Sequence, residues 1–138
     1  GLPTNSALRL MEREQLSATA LLRQLNTRGG LYGYLGTDDG KEISRRAENG
    51  DEKARLVYEG MAYQVAKEIG ACAAVLRGKV DAIILTGGFA RDKMFTGWIA
   101  ERTRFLAEIV VMPGEDEQQA LCAAALRVLL GQEQALEY

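Results

Sequence analysis

Three short stretches of this chain carry residues that could do chemistry. Ile84-Leu85-Thr86-Gly87-Gly88 places a hydroxyl and two glycines at the end of an apolar run. In open α/β sheets, ligands bind beyond the carboxyl ends of strands, and paired glycines let a phosphate or ribose approach the backbone closely. The same pair also serves a tight turn that needs positive φ. A helix expected to start near Asp92 would offer its first N–H groups to an anion. In Gly36-Thr37-Asp38-Asp39-Gly40, two adjacent carboxylates either receive hydrogen bonds from a ribose or a base, or cap the next helix. In Pro113-Gly114-Glu115-Asp116-Glu117, acids at the first turn of a helix either complement its dipole or contact Mg²⁺, which beside phosphates keeps several waters and one or two carboxylates.

Other reactive residue types are sparse. The chain contains no histidine, which rules out Ser-His-Asp and Cys-His catalysis and the usual zinc sites within it. Cys72 and Cys122 each lie in an alanine-rich helical pattern and are expected to be small buried hydrophobes. Phe95, Trp98 and Phe105 sit at helical spacing and read as core or interface. Arg91 reads as a solvated loop residue, and the Lys/Glu mixture of residues 41–55 as a solvated helix face.

The elements that position these residues alternate between helix and strand. Short amphipathic helices are expected over Thr4 to Glu12 and Ser17 to Asn26, the second with Ser17 as its N-cap. Leu31 to Gly36, aromatic and bounded by glycine, reads as a strand. A helix follows over Lys41 to Asn49, then the longest periodic stretch, Asp51 to Arg77, with Leu56, Val57, Met61, Val65, Ile69, Cys72 and Leu76 at helical spacing. Val80 to Thr86 and Ala107 to Met112 read as buried strands of a mixed or parallel sheet, separated by a helix over Asp92 to Leu106. The last helix spans Glu115 to Leu130. Three strands ending in three special loops would bring those loops together on one sheet edge.

At 138 residues the length suits one compact unit. A net charge of -2 without a basic stripe speaks against nucleic-acid binding. The absence of a long apolar run speaks against a membrane span, so a cytoplasmic location is expected. Gly1-Leu2-Pro3 reads like the middle of a longer protein.

Several blocks in order resemble one family. They are Gly29-Gly30-Leu31 through Gly36-Thr37-Asp38-Asp39, Gly50 to Ala54, Ala62 to Ala71, and Val80 to Gly88. Together they are similar to the C-terminal domain of acetate and butyrate kinases. The continuation Phe89-Ala90-Arg91-Asp92 and the block from Pro113 to Glu117 followed by Ala124-Ala125-Leu126-Arg127 look like the butyrate branch.

The resemblance implies an α/β fold, a ribonuclease H-like domain of the actin-like, sugar-kinase and heat-shock ATPase superfamily, with a mixed sheet and flanking helices. Residues 1–138 would then form the C-terminal nucleotide-binding domain of a two-domain carboxylate kinase. It also implies ATP-dependent phosphorylation of a short-chain fatty acid, with ATP/ADP and Mg²⁺ as cofactors. Asp39 and Lys41 would lie near the adenosine, Thr86, Gly87, Gly88, Phe89 and Ala90 would line the nucleotide, and Glu115, Asp116 and Glu117 would face the metal. Lys41 departs from the family's more frequent arginine and lacks its planar fork of donors.

No catalytic residue is expected in this chain, because the family places its acid-binding pocket, catalytic aspartate and transition-state arginine upstream of Gly1. The implied partners are the N-terminal domain of the same protein, a short-chain carboxylate substrate and a second copy of the chain, dimerised through this domain. The alternative function is a freestanding nucleotide-binding or oligomerisation module without catalysis.

Overall fold

The computed structural model describes residues 3–114 and 117–135, with residues 117 and 118 described by backbone alone. The chain divides into two compact units, Gly1–Met61 and Ala62–Tyr138.

The first unit is helical: α1 (Thr4–Glu14), α2 (Ala18–Arg28), α3 (Gly30–Leu35), α4 (Gly40–Glu48) and the first turns of α5 (Glu52–Val75). Ser17 caps α2 as its type and place predict, its hydroxyl oxygen accepting the Ala20 N–H at 3.1 Å. Ile43 and Ala47 on α4, and Ala54 and Tyr58 on α5, are buried pairs four residues apart, the spacing of one helix face.

The segment Leu31 to Gly36, expected as a strand, is the helix α3. Over six residues the two patterns coincide. Half-buried Leu31 and Leu35 are four apart for a helix and also alternate with exposed Tyr32 and Tyr34 as in a strand. Close packing at the α2–α3 corner decides for the helix. A Cβ on Gly33 would sit 2.6 Å from the Arg28 carbonyl oxygen, so only glycine lets the chain coil back there. Gly36 closes α3, its N–H donating to the Tyr32 carbonyl at 2.8 Å.

The second unit holds the rest of α5, strand β1 (Ala82–Gly87), a 3-10 turn (Gly88–Arg91), α6 (Lys93–Thr103), strand β2 (Glu108–Pro113) and α7 (Glu117–Leu129). β1 and β2 pair in parallel, in register from Ala82 opposite Glu108 to Gly87 opposite Pro113. The chain between them is the helical crossover that a parallel pair requires. Ile83 on β1 and Phe95 and Ile99 on α6 are buried, and Thr103 satisfies its buried hydroxyl by donating to the Ile99 carbonyl at 2.8 Å.

On α5 the buried residues of this unit are Ala62, Ala66 and Ala73, with Val65 and Ile69 half-buried. Small side chains therefore face inward. Leu56, Cys72 and Leu76, expected on the buried face, are exposed. Cys122 on α7 is exposed as well, against expectation. Alanine fits either face of a helix, so an alanine-rich segment carries little pattern by which to place a cysteine. Phe105 lies past the end of α6 and is 79% exposed, whereas Phe95 is core.

Candidate functional site

β1 carries the chain to Gly87, where φ is 85° and ψ is −172°. A Cβ there would meet no atom within 4 Å, so the demand for glycine is torsional and not steric. Gly87 also forms a bridge to Gly114, just beyond β2. Two of the three loops with chemical promise thus adjoin at one carboxyl edge of the parallel pair. The third, Gly36–Asp39, joins two helices of the other unit, because the strand expected before it is α3.

After Gly87 the backbone makes the 3-10 turn Gly88–Arg91. Thr86 and Gly88 are exposed, Phe89 is half-buried with its ring 5.4 Å from that of Phe95, and Ala90 is buried. The turn is therefore anchored at Phe89 and Ala90 and open at Thr86 and Gly88. The Asp92 carboxylate oxygen Oδ1 accepts the Met94 N–H at 2.8 Å and the Phe95 N–H at 3.2 Å. This corrects the expectation that the start of α6 would present its amides to an anion. The cap already occupies them with a negative charge of its own.

The Gly36–Asp39 loop is held from within. Asp39 caps α4, Oδ1 accepting the Lys41 N–H at 2.9 Å and the Glu42 N–H at 3.4 Å, and its own N–H donates to Thr37 Oγ1 at 3.2 Å. The capping alternative is thus realised. Asp39 and Lys41 remain exposed, so capping leaves the outer side of the loop accessible.

Residues 41–55, expected as a plain solvated face, contain a half-buried network. Arg46 donates through Nε to Asp51 Oδ2 at 2.9 Å and through Nη1 to the Leu35 carbonyl at 3.3 Å. Asp51 Oδ1 in turn accepts the Ala54 N–H at 2.9 Å at the start of α5. That backbone bond, followed by the bond from Arg46, holds the Asp51 carboxyl below its ordinary range. The sequence signal for this was an Asp directly after Asn49-Gly50 and before a helix, which is an N-cap position.

The metal expectation falls on Glu115 and Asp116, which lie outside the described residues, and on Glu117, whose side chain does too. Among the described residues no group of three or more acidic or thiol side chains is placed to hold a metal ion. Also among them, no helix is long and apolar enough to cross a membrane.

The chain is 44% identical over 137 residues to butyrate kinase 2 of Clostridium acetobutylicum, covering 99% of this chain and 38% of that protein. It is 45% identical, over 99% of its length, to a probable butyrate kinase of Listeria monocytogenes, of which it covers 39%. The chain therefore spans about two fifths of the length of these relatives. The fold matches the crystal structure of Porphyromonas gingivalis acetate kinase with a TM-score of 0.81 at 22% identity, over 94% of this chain and 39% of that one. The α/β architecture with its small parallel sheet and flanking helices is thus that of an acetate kinase. The profile of the acetokinase family matches residues 6–110, and the chain belongs to that family.

Proposed function

We propose that this chain is the nucleotide-binding, C-terminal part of a butyrate kinase, which converts butanoate and ATP to butanoyl phosphate and ADP. The observation that carries the reading is the 44–45% identity to butyrate kinases over 99% of the chain. In the reaction a carboxylate oxygen forms the new bond to the γ-phosphorus while the bond from that phosphorus to the β-γ bridging oxygen breaks, leaving ADP. Such a transfer is catalysed by positioning and by charge placed around the moving phosphoryl group.

In this reading the chain's contribution is to bind and orient the nucleotide. The open Thr86–Gly88 corner, backed by Phe89 and Ala90, lets phosphate or ribose lie against the backbone. By the resemblance to the family, Asp39 and Lys41 would lie near the adenosine. Mg²⁺ bound with the nucleotide would neutralise phosphate charge, and Glu115 to Glu117 are the acids nearest in sequence to the Gly87–Gly114 bridge. Residues 1–138 then act as one domain of a cytoplasmic, dimeric enzyme whose remaining chain supplies the acyl pocket and the transfer chemistry.

The test is acyl phosphate formation by the complete enzyme containing this chain, with butanoate and acetate compared at saturating ATP. Butanoate turnover is expected, and it should vanish when only residues 1–138 are supplied. An enzyme inactive on both acids would overturn the reading. Saturable binding of ATP by the isolated chain, followed through Trp98 fluorescence, together with that inactivity would point instead to a binding module.

A further inference from the structure

Asp39 ends the four-residue loop Gly36–Asp39 and Lys41 follows in the first turn of α4, and contacts from outside add to the bonds that hold the loop from within. The bonds converge on one side chain. Arg46, on α4, reaches back to the last turn of α3 through the Leu35 carbonyl and forward to Asp51 at the start of α5. Its Nη2 lies 2.8 Å from Asp51 Oδ2, beside the Nε bond to the same oxygen. Its Nη1 also lies 3.9 Å from Glu42 Oε1. Glu42 continues the chain of contacts, its Oε2 accepting the Thr37 hydroxyl at 3.0 Å, and Thr37 accepts the Asp39 N–H.

The loop is thus tied to Arg46 by a hydrogen bond at its entry, through Leu35, while Thr37 is tied to Glu42, whose other carboxylate oxygen stands at ion-pair distance from the guanidinium. The Arg46 and Asp51 side chains are 30% and 34% exposed. The pair is therefore screened less than a fully solvated one and gains more from charge-assisted bonds. A lysine could satisfy Asp51 but has no planar fork to serve a carboxylate and a carbonyl in different directions at once.

We propose that Arg46 is a positioning residue for the nucleotide, setting the Gly36–Asp39 loop so that Asp39 and Lys41 meet the adenosine. This rests on the reading of that loop as part of the nucleotide site. Arg46 itself touches no substrate. It acts by keeping the loop in the shape that binding would otherwise have to impose, and the cost of ordering a loose loop appears as weaker nucleotide affinity.

The test is Arg46→Lys in the complete enzyme, with Asp39→Ala and the exposed neighbour Arg45→Lys alongside. For Arg46→Lys the KM for ATP should rise about 3- to 10-fold, the range expected for the net loss of one ordinary hydrogen bond, with kcat within about two-fold and the KM for butanoate unchanged. Hydrogen exchange at the amides of residues 36–42 should accelerate, and Arg45→Lys should change neither. If Asp39→Ala raises the KM for ATP while Arg46→Lys does not, the role of Arg46 is refuted and the loop's place at the nucleotide stands. If neither variant moves it, the reading of the loop fails and this inference goes with it. A loss of kcat or of thermal stability with the KM for ATP unmoved would make Arg46 a structural staple only. Should Arg46→Lys fail to fold, Glu42→Gln, which weakens the same tie more gently, is held to the same outcomes.

Discussion

Gly87 and Gly33 are both glycine for reasons that a single methyl group separates. At Gly87 the added Cβ meets open space, so Gly87→Ala costs only the strain of an L-residue at φ 85° and ψ −172°, a region essentially reserved for glycine, about 1–3 kcal/mol. At Gly33 the Cβ would press on the Arg28 carbonyl oxygen, backbone that cannot swing aside, and the α2–α3 corner must shift. Gly33→Ala should cost a comparable amount by this different route, about 2 kcal/mol or above. Urea unfolding checks both, and a variant as stable as the parent would contradict the reason given for that glycine. Under the proposed function, nucleotide affinity should suffer more from Gly87→Ala, because Gly87 borders the open turn whereas Gly33 serves the packing of helices. Asp92 shows how a residue's role turns on its bonds. Read as the start of a helix, it promised an anion site, but its carboxylate already holds the two amides an anion would need.

At the scale of elements, caps and corners carry testable weight. Asp92→Ala removes an acceptor shared by two N–H groups at the start of α6 and should cost about 1 kcal/mol, whereas Asp92→Asn should retain most of the cap. Thermal unfolding distinguishes them. The α4–α5 corner adds a pH dependence whose sign follows from Asp51. Its carboxyl titrates lower when folded than its usual 3.8, so its contribution is fully present above that value. The contribution is lost as pH falls through the lowered folded value. Acid titration of stability should therefore show a loss below about pH 4 that is absent in Asp51→Asn, and identical profiles would remove Asp51 from the account.

The long α5, the apolar β1 and the helix between the two strands were legible because each pattern persists over enough residues to choose one period. α3 was not, since six residues satisfy both periods. The Arg46 network was hidden for a different reason. Its bonds span five and eleven residues and depend on how α3, α4 and α5 fold back, which no local spacing encodes. The Gly87 corner was legible as a special loop, but only the parallel register brought it beside Gly114.

At the scale of the whole molecule, the sheet presents an imbalance. In register, Ile83 and Leu85 share one face with Ile109 and Val111, and that face includes the buried Ile83. The other face carries Ala82, Ile84 and Thr86 beside Glu108, Val110 and Met112, and there Ile84 is 60% and Met112 58% exposed and Val110 half-buried, while on the first face only Val111, at 44%, is exposed. Parallel pairs are normally covered on both faces, so an apolar face this open is unusual. A chain that spans 38–39% of its relatives' length is expected to leave such surface to the remainder of the protein. The isolated 138-residue chain should therefore bind an apolar reporter dye and self-associate at rising concentration. Ile84→Thr together with Met112→Thr should reduce both while costing less than about 1 kcal/mol in unfolding, because each side chain is already largely in water. A chain of the relatives' full length should be dye-silent without any substitution. An isolated chain that is monomeric and dye-silent would mean that the face is covered from within, and the case for a missing cover would fall.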